Sequence, residues 1–358
     1  MGIRVGTHQH RRQIVTVVET ARASGERGSD FAKLSRRVAQ AGLLDKRPGY
    51  YTARIGLVAG LFAGSWALFA AVGDSWWQVL VAVLLAVAFA QVTLLAHDLA
   101  HGQICRSRRT SRIAGLLVGN LAIGLGYGWW MDKHTRHHAN PNHEDHDPDV
   151  SPEVLLWSDN QAGAARGLSR FIGRWQAFLF FPLLTLEALN LKVASFRGLR
   201  RESLKNRKAE GLLLVAHNVA YLGGVFLVLS PGKALVFLAV HLACYGIYLG
   251  CTFAPNHKGM PVLTAEDELD YLRRQVLTSR NVRGGHLINT ALGGLNYQIE
   301  HHLFPSMPSA NLRRAQPIVR EYCESIGVDY AECGLVASWT QAMRHLHEVG
   351  RPLRVGRV

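Results

Sequence analysis

Four stretches of the chain, about residues 54–72, 77–96, 212–229 and 234–253, are almost free of charge and long enough for a helix to cross a bilayer. In hydrocarbon, the backbone of each stretch must satisfy its own polar groups, so each is expected to be a helix. That pattern sets the fold class as an all-α integral membrane protein with four transmembrane helices. By length alone 358 residues would permit two soluble domains, but the apolar residues are too clustered for that. Charge is packed between the stretches, 40 Lys and Arg against 26 Asp and Glu. The turn Gly73-Asp-Ser75 carries no Lys or Arg and Ser230-Pro-Gly-Lys233 carries one, whereas residues 102–210 and both tails are densely basic. The positive-inside rule therefore places the tails and the long middle segment in the cytoplasm, with the plasma membrane as the expected location. The net charge of +14 then faces anionic lipid headgroups, and nucleic acid is set aside as a partner.

Three regions follow from this layout. Residues 1–53 form a cytoplasmic segment. Its first 28 residues are polar, Arg-rich and expected to be poorly ordered. A helix from Ser29-Asp30 then carries Phe31, Leu34, Val38, Leu43 and Leu44 at near-helical spacing. That helix suits either the surface of the cytoplasmic leaflet or ordinary packing on the protein. Residues 54–257 form the membrane domain, with a cytoplasmic insertion at 97–211, and residues 258–358 a cytoplasmic helical cap. Within the insertion, Ile113–Trp130 is apolar but rich in Gly and is expected to form two short helices rather than a span. Phe171–Leu191 is broken by Arg174, Pro182 and Glu187 and is expected to be an interfacial or partly buried helix. No amino-terminal signal peptide is expected, because residues up to about 54 lack an apolar core. The cysteines, at 105, 244, 251, 323 and 333, include no Cys-x-x-Cys and fit a reducing compartment.

Histidines gather where the apolar stretches end. His97-Asp-Leu-Ala-His101 puts two imidazoles one helical turn apart. His134-Thr-Arg-His137-His138 and Gln298-Ile-Glu-His301-His302 repeat the i, i+3, i+4 geometry. A single histidine near a helix end is more often a satisfied core residue than a ligand. Here three groups share spacing and side, and each adjoins Asp, Asn or Glu. His257, at the end of the fourth stretch, brings the number of candidate ligands to eight, which is enough for two metals. Imidazole suits Fe, Zn, Cu and Ni alike, so ligand type alone does not name the metal. Neither Glu-x-x-His nor His-Glu-x-x-His occurs in the chain, so a carboxylate-rich di-iron site and a zinc-protease helix are both unsupported. The other histidines fall outside the pattern. His8 and His10 lie in the first tail and His345 and His347 near the end. His217 and His241 lie within spans, where helix–helix hydrogen bonding is the simpler account. His143, His146 and His286 are weak candidates.

His-x-x-x-His, His-x-x-His-His and Gln-x-x-His-His, in that order around pairs of spans, resemble the histidine boxes of the membrane fatty-acid desaturase family. The run Gln298-Ile-Glu-His-His-Leu-Phe-Pro305 is similar to the acyl-lipid and acyl-CoA branch, and Phe253–Met260 and Asn281–Gly285 resemble segments of bacterial members. The likeness covers about residues 30–325. It implies a non-haem centre of two iron ions that uses dioxygen and two electrons to remove two hydrogens from adjacent acyl carbons. It also implies His97, His101, His134, His137, His138, His257, His301 and His302 as ligands. Gln298 stands where other members carry a ligating histidine, and could bind iron, hold water or orient a neighbour. Many eukaryotic relatives carry a fused cytochrome domain with a His-Pro-Gly-Gly motif. This chain has no His-Pro pair, so electrons are expected from a separate ferredoxin or flavin reductase.

An unactivated methylene offers neither an acidic proton nor a leaving group, so a metal–oxygen centre must carry the chemistry. Neutral imidazoles leave iron charge uncompensated, which makes outer acceptors important. Asp98, Glu144, Asp147, Asp149, Asn256, Asn296 and Glu300 are the candidates. The acyl chain, carried on CoA, a carrier protein or a lipid, needs an apolar tunnel, expected between the spans and the cap. Arg106, Arg108 and Arg109 could hold a phosphate-bearing headgroup, although positive-inside charge explains them as simply. The main rival is a hydroxylase on the same scaffold. A metal transporter would place its ligands near the bilayer midplane, and these lie at the span ends. A metal-dependent membrane hydrolase would show zinc and no need for oxygen.

Overall fold

The computed structural model describes residues 29–201 and 204–355, so the expectation for residues 1–28, with His8 and His10, lies outside the described residues. Among the described residues, four helices are long and apolar enough to cross a membrane: α2 (Pro48–Val72), α3 (Gln78–Ala100), α9 (Arg207–Val228) and α10 (Pro231–His257). A first helix, α1 (Asp30–Gln40), precedes them. Of the span windows, 67% of α3 is buried, against 17% of α2, 22% of α9 and 33% of α10. Thus α3 is the inner rod, and the other three keep faces for lipid, where Leu57, Leu212 and Leu227 stand exposed. Val81, Leu85 and Phe89 of α3 pack with Tyr221, Phe237 and Tyr245 in one apolar cluster.

Each span is longer than the uncharged stretch that announced it. Arg54 lies inside α2 because it is neutralised there, its guanidinium 2.8 Å from the Asp98 carboxylate. Helix α3 runs on to Ala100 and α10 to His257, with Pro255 in the last turn of α10. At the other end of the bundle, Gln78 donates to the carbonyls of Phe69 (2.7 Å) and Gly73 (3.0 Å), closing the α2–α3 turn. The two short loops at that end also meet. Asp74 accepts from the Ser230 backbone N–H at 2.9 Å and pairs with Lys233 at 3.1 Å.

The insertion folds as two bent pairs. In the first, α4 (Arg108–Leu116) runs into a π-helical turn, Leu117–Ile123, and after Gly124 the chain turns into α5 (Tyr127–Ala139) at 113°. This agrees with the expected pair of short helices. In the second, α7 (Gly167–Leu184) meets α8 (Glu187–Gly198) at 83°. Here one interrupted helix was expected and two are found. Pro182 does not break α7, because it sits in the last turn, where its carbonyl accepts from Thr185 Oγ at 2.6 Å. The break falls at Thr185–Leu186 instead. A six-residue helix, α6 (Asp159–Ala164), lies between the pairs.

The cap holds α11 (Tyr271–Leu277), α12 (His286–Ala291), α13 (Gln298–Leu303), α14 (Ser309–Ser325), α15 (Leu335–Val349) and α16 (Arg351–Arg354). A parallel pair, β1 (Asn281–Arg283) with β2 (Glu332–Gly334), ties its two halves. Leu34 and Val38 of α1 are fully buried with Leu272, Ile299, Leu312 and Val319. Each such side chain contributes roughly 1.5–3 kcal/mol. The apolar face of α1 is therefore spent on the cap, so packing on the protein, and not adsorption to the leaflet, accounts for its pattern.

Candidate metal centre

The C-terminal ends of α3 and α10, the short helix α5 and the six-residue α13 converge at one end of the bundle and bring eight histidines together. His97, His101, His134 and His301 form one group whose ring nitrogens lie within 4.8 Å of one another, and His137, His257 and His302 form a second. His138 lies between them. Its Nε2 is 3.1 Å from that of His134, and its ring stacks on His302 at 4.3 Å. The Nε2 atoms of His101 and His134 are 2.8 Å apart. All of the sequence-predicted histidine ligands are thus neighbours, although they come from four helices.

What stands behind the rings identifies the nitrogens that face inward. Nδ1 of His137 is held by Asp147 at 2.9 Å, Nδ1 of His302 by the Gln275 carbonyl oxygen at 2.9 Å, and Nδ1 of His257 by the Thr278 carbonyl at 3.1 Å. Asp98 lies 3.5 Å from Nδ1 of His97. With that nitrogen engaged, the opposite one faces the cluster, without a partner at His97 and His302 and met by the Gln298 amide at His257. Nε2 of His97, Nε2 of His302 and both ring nitrogens of His301 are buried with no hydrogen-bond partner. Orphaned buried polar atoms are costly, and here each belongs to a ring of one of the two close-packed histidine groups, which fits a metal-holding role. Burial, reinforced by the neighbouring rings, pushes the pKa of His301 and His302 far below the ordinary histidine value. The rings are thus neutral, as ligands must be. At His137 burial acts the same way, but Asp147 and Asp149 outweigh it and raise the pKa. Asp149 is half-buried, and although desolvation works against its charge, Lys133, His137 and Lys258 keep its carboxyl below the usual range. His137, Asp147 and Asp149 form a third group able to hold a cation.

Other expected outer residues divide. Asp98 accepts from Tyr51 (3.1 Å), Arg54 (2.8 Å) and Ser309 (3.2 Å), and so ties α2 and α14 to the first box. Gln298 offers its amide nitrogen to Nε2 of His257 at 2.9 Å, while its oxygen takes Asn256 at 3.4 Å. Glu300 was expected behind a histidine but turns into the cap, accepting from Asn281 (2.8 Å) and Tyr330 (2.6 Å). Burial pushes its pKa up to about 7. Asn296 bonds the Val282 carbonyl, and Glu144 accepts from Ser158 and Asn160; neither touches a ring. The rings of His143 and His146 pack on each other at 4.4 Å and His286 meets Arg313, all outside the two groups.

Sequence reasoning missed Gln275, Thr278 and Asn142. Asn142 adopts a positive φ of 55° and donates to the His257 carbonyl at 3.0 Å, pinning the loop after the second box to the end of α10. The cluster Asn140-Pro-Asn142, a turn-forming run whose asparagine tolerates αL, was the available signal.

A cavity of about 520 Å³ opens from this centre. His97, His134, His137, His257 and Gln298 line one part, and Ile123, Leu125, Phe180, Leu184, Leu249 and Phe253 line another. It lies between α3, α10 and the two bent pairs, and where a space between the spans and the cap was expected, the cap contributes only Lys258 and Gln298 to its lining, its apolar residues being packed with α1. Arg106, Arg108 and Arg109 are exposed and do not line it; its cations are Lys133 and Lys258.

Comparison with known proteins points the same way. The acyl-lipid (9-3)-desaturase of Physcomitrium patens is 29% identical over 346 residues, 93% of this chain and 65% of the relative. The acyl-lipid 8-desaturase of Rebecca salina is 30% identical over 328 residues, covering 89% of this chain and 74% of that protein. The Delta(8)-fatty-acid desaturase of Euglena gracilis is 29% identical over 322 residues, 86% of this chain and 75% of the relative. The chain thus spans about two thirds to three quarters of the length of these relatives. The model of the fatty acid desaturase family matches residues 74–334, a stretch that takes in all three histidine boxes and His257, and the chain belongs to that family.

Proposed function

We propose that the chain is an oxygen-dependent fatty-acyl desaturase that introduces a cis double bond into an acyl chain, using two iron ions held by the eight histidines. The observation that carries this reading is the shared cavity: an apolar slot of acyl-chain character is walled at one part by His97, whose buried Nε2 is unpartnered, and by His134, His137 and His257 of the same two histidine groups. Bound iron would supply the oxygen chemistry needed to take hydrogen from an unactivated methylene. The chain's own residues do the rest. His97, His101, His134 and His301 would hold one ion, and His137, His257 and His302 the other, with His138 between them. Gln275, Thr278 and Asp147 fix the ring orientations. Gln298 positions His257, and the apolar walls exclude water from the reacting carbons.

In this reading the centre faces the cytoplasm. All the boxes lie at one end of the bundle, the end with the basic insertion, while the opposite loops hold only Lys233. Electrons come from a ferredoxin or flavin reductase outside the described chain, and the acyl group arrives on CoA, a carrier protein or a lipid.

The test is gas chromatography–mass spectrometry of lipids from cells expressing the chain with a compatible electron donor, beside a His301→Ala/His302→Ala variant. New unsaturated chains that disappear in the variant are expected. Hydroxylated chains would move the assignment to an oxygenase. Unchanged acyl composition with iron-loaded protein would overturn it.

A further inference from the structure

The connection between α4 and α5 is irregular and apolar, and backbone of that kind must be caught by side chains. Helices α8 and α9 catch it. Lys192 donates to the Ile123 carbonyl at 3.1 Å and meets Nε2 of His217 at 3.2 Å. His217 donates from Nδ1 to the Leu121 carbonyl at 2.9 Å. Ser195 accepts from the Gly126 N–H at 2.8 Å. All three side chains are buried. The fit is close: at Gly124, with φ of +69°, an added Cβ would lie 2.2 Å from the His217 ring and 2.6 Å from the Lys192 nitrogen.

The segment held in this way is one wall of the cavity. Gly119, Ile123, Leu125, Gly126 and Tyr127 line it, with Leu249, Gly250 and Phe253 of α10 among the other lining residues. Lys192, Ser195 and His217 line nothing themselves. A lysine buried against the His217 ring, the Ile123 carbonyl and, at 5.7 Å, the face of Tyr221, with no carboxylate among these partners, is expensive for a purely architectural role, where a neutral side chain would serve.

We infer that Lys192, Ser195 and His217 form a cradle that fixes the Leu121–Gly126 wall and thereby sets which length of acyl chain sits with its reacting carbons at the centre. This rests on the desaturase reading above. The three act through the wall and are positioning residues.

The full chain is expressed in cells fed palmitate and stearate, and the ratio of their unsaturated products is measured with protein and iron content. Lys192→Met keeps an unbranched apolar stem and removes the donors. It is expected to shift the product ratio about tenfold, equivalent to ~1.4 kcal/mol, with iron content unchanged. Lys192→Arg, which keeps a donor for the Ile123 carbonyl, is expected to stay within about twofold of the parent. Ser195→Ala, a milder change, is expected to shift the ratio in the same direction and decides the matter where Lys192→Met fails to accumulate. Loss of total product at an unchanged ratio overturns the inference. A readout without turnover separates it from the desaturase reading. A diazirine-bearing stearate should label the peptide containing Ile123–Tyr127 in the parent and less in Ser195→Ala. If the parent forms no double bond yet this labelling holds, the functional reading fails and the wall contact stands. Labelling elsewhere, or labelling that Ser195→Ala leaves unchanged, overturns the cradle itself.

Discussion

At His302 the ring is held from behind by Gln275, whose carbonyl oxygen accepts from Nδ1 at 2.9 Å while its amide donates to the His138 carbonyl. One side chain therefore orients a ring of the third box and the backbone of the second. Gln275→Leu should leave the helix intact and lower metal affinity about 10–100-fold, the usual cost of losing a partner behind a ligand. Iron retained against a graded chelator, measured by plasma mass spectrometry, checks this; equal retention would mean that packing alone orients His302. The sequence could place His302, because Gln298, His301 and His302 share a helical face. It could not place Gln275, which lies 27 positions from His302 and reaches it only because α11 packs on α13. Arg54 failed to be read for a similar reason. A charge at a span end looks like a boundary until its partner Asp98, 44 positions away, is known.

Among the elements, the two bent pairs decide where the cavity lies. The break after Ile123 was legible because Gly crowds that stretch, and Gly124 is the position that needs it, for both its positive φ and its contact with His217. Gly124→Ala should destabilise the fold by about 2–4 kcal/mol, from αL strain plus overpacking. A thermal scan in detergent should show an apparent Tm several degrees lower. Gly223→Ala, where an added Cβ meets nothing within 4 Å, should be neutral or slightly stabilising. The break after Leu184 was misread because Pro182 drew attention to itself. A proline in the last turn of a helix removes little, and the chain turns just past the helix end, at Thr185–Leu186, beginning three residues after Pro182. The tunnel was misplaced for a physical reason too. Hydrophobic pattern tells which residues are buried, but not whether they face one another or an open slot.

Across the whole molecule, the insertion and the far end of the cap are joined where His345 meets the Trp157 carbonyl at 3.0 Å. Burial lowers the pKa of His345 despite that contact. In the unfolded chain the ring takes up a proton near the ordinary value of about 6.5, and in the folded chain only at lower pH. The unfolded state therefore binds more protons in that interval, so stability is full above about 6.5 and declines as pH falls toward the folded pKa. His345→Asn should flatten this part of the profile, read as apparent Tm against pH; an unchanged slope would place the acid sensitivity elsewhere. The overall plan of spans, one-sided boxes and cap was legible because bilayer physics leaves few alternatives. The closeness of the cap to α1 was not, because an amphipathic pattern is the same whether lipid or protein covers it.

One continuous rod, α10, runs from the Ser230–Asp74–Lys233 clasp to His257. Its 27 residues span about 40 Å at 1.5 Å per residue. With the clasp as fulcrum, rocking by about 2° carries the His257 end through more than about 1 Å, a displacement that near a reacting centre can change rates about 10²-fold. Bilayers of different thickness impose such tilts on helices that cross them. The lever therefore works in both directions of lipid supply: thickness at one leaflet reaches the ring at the other, and a protein acting on acyl chains is mechanically coupled to the membrane those chains compose.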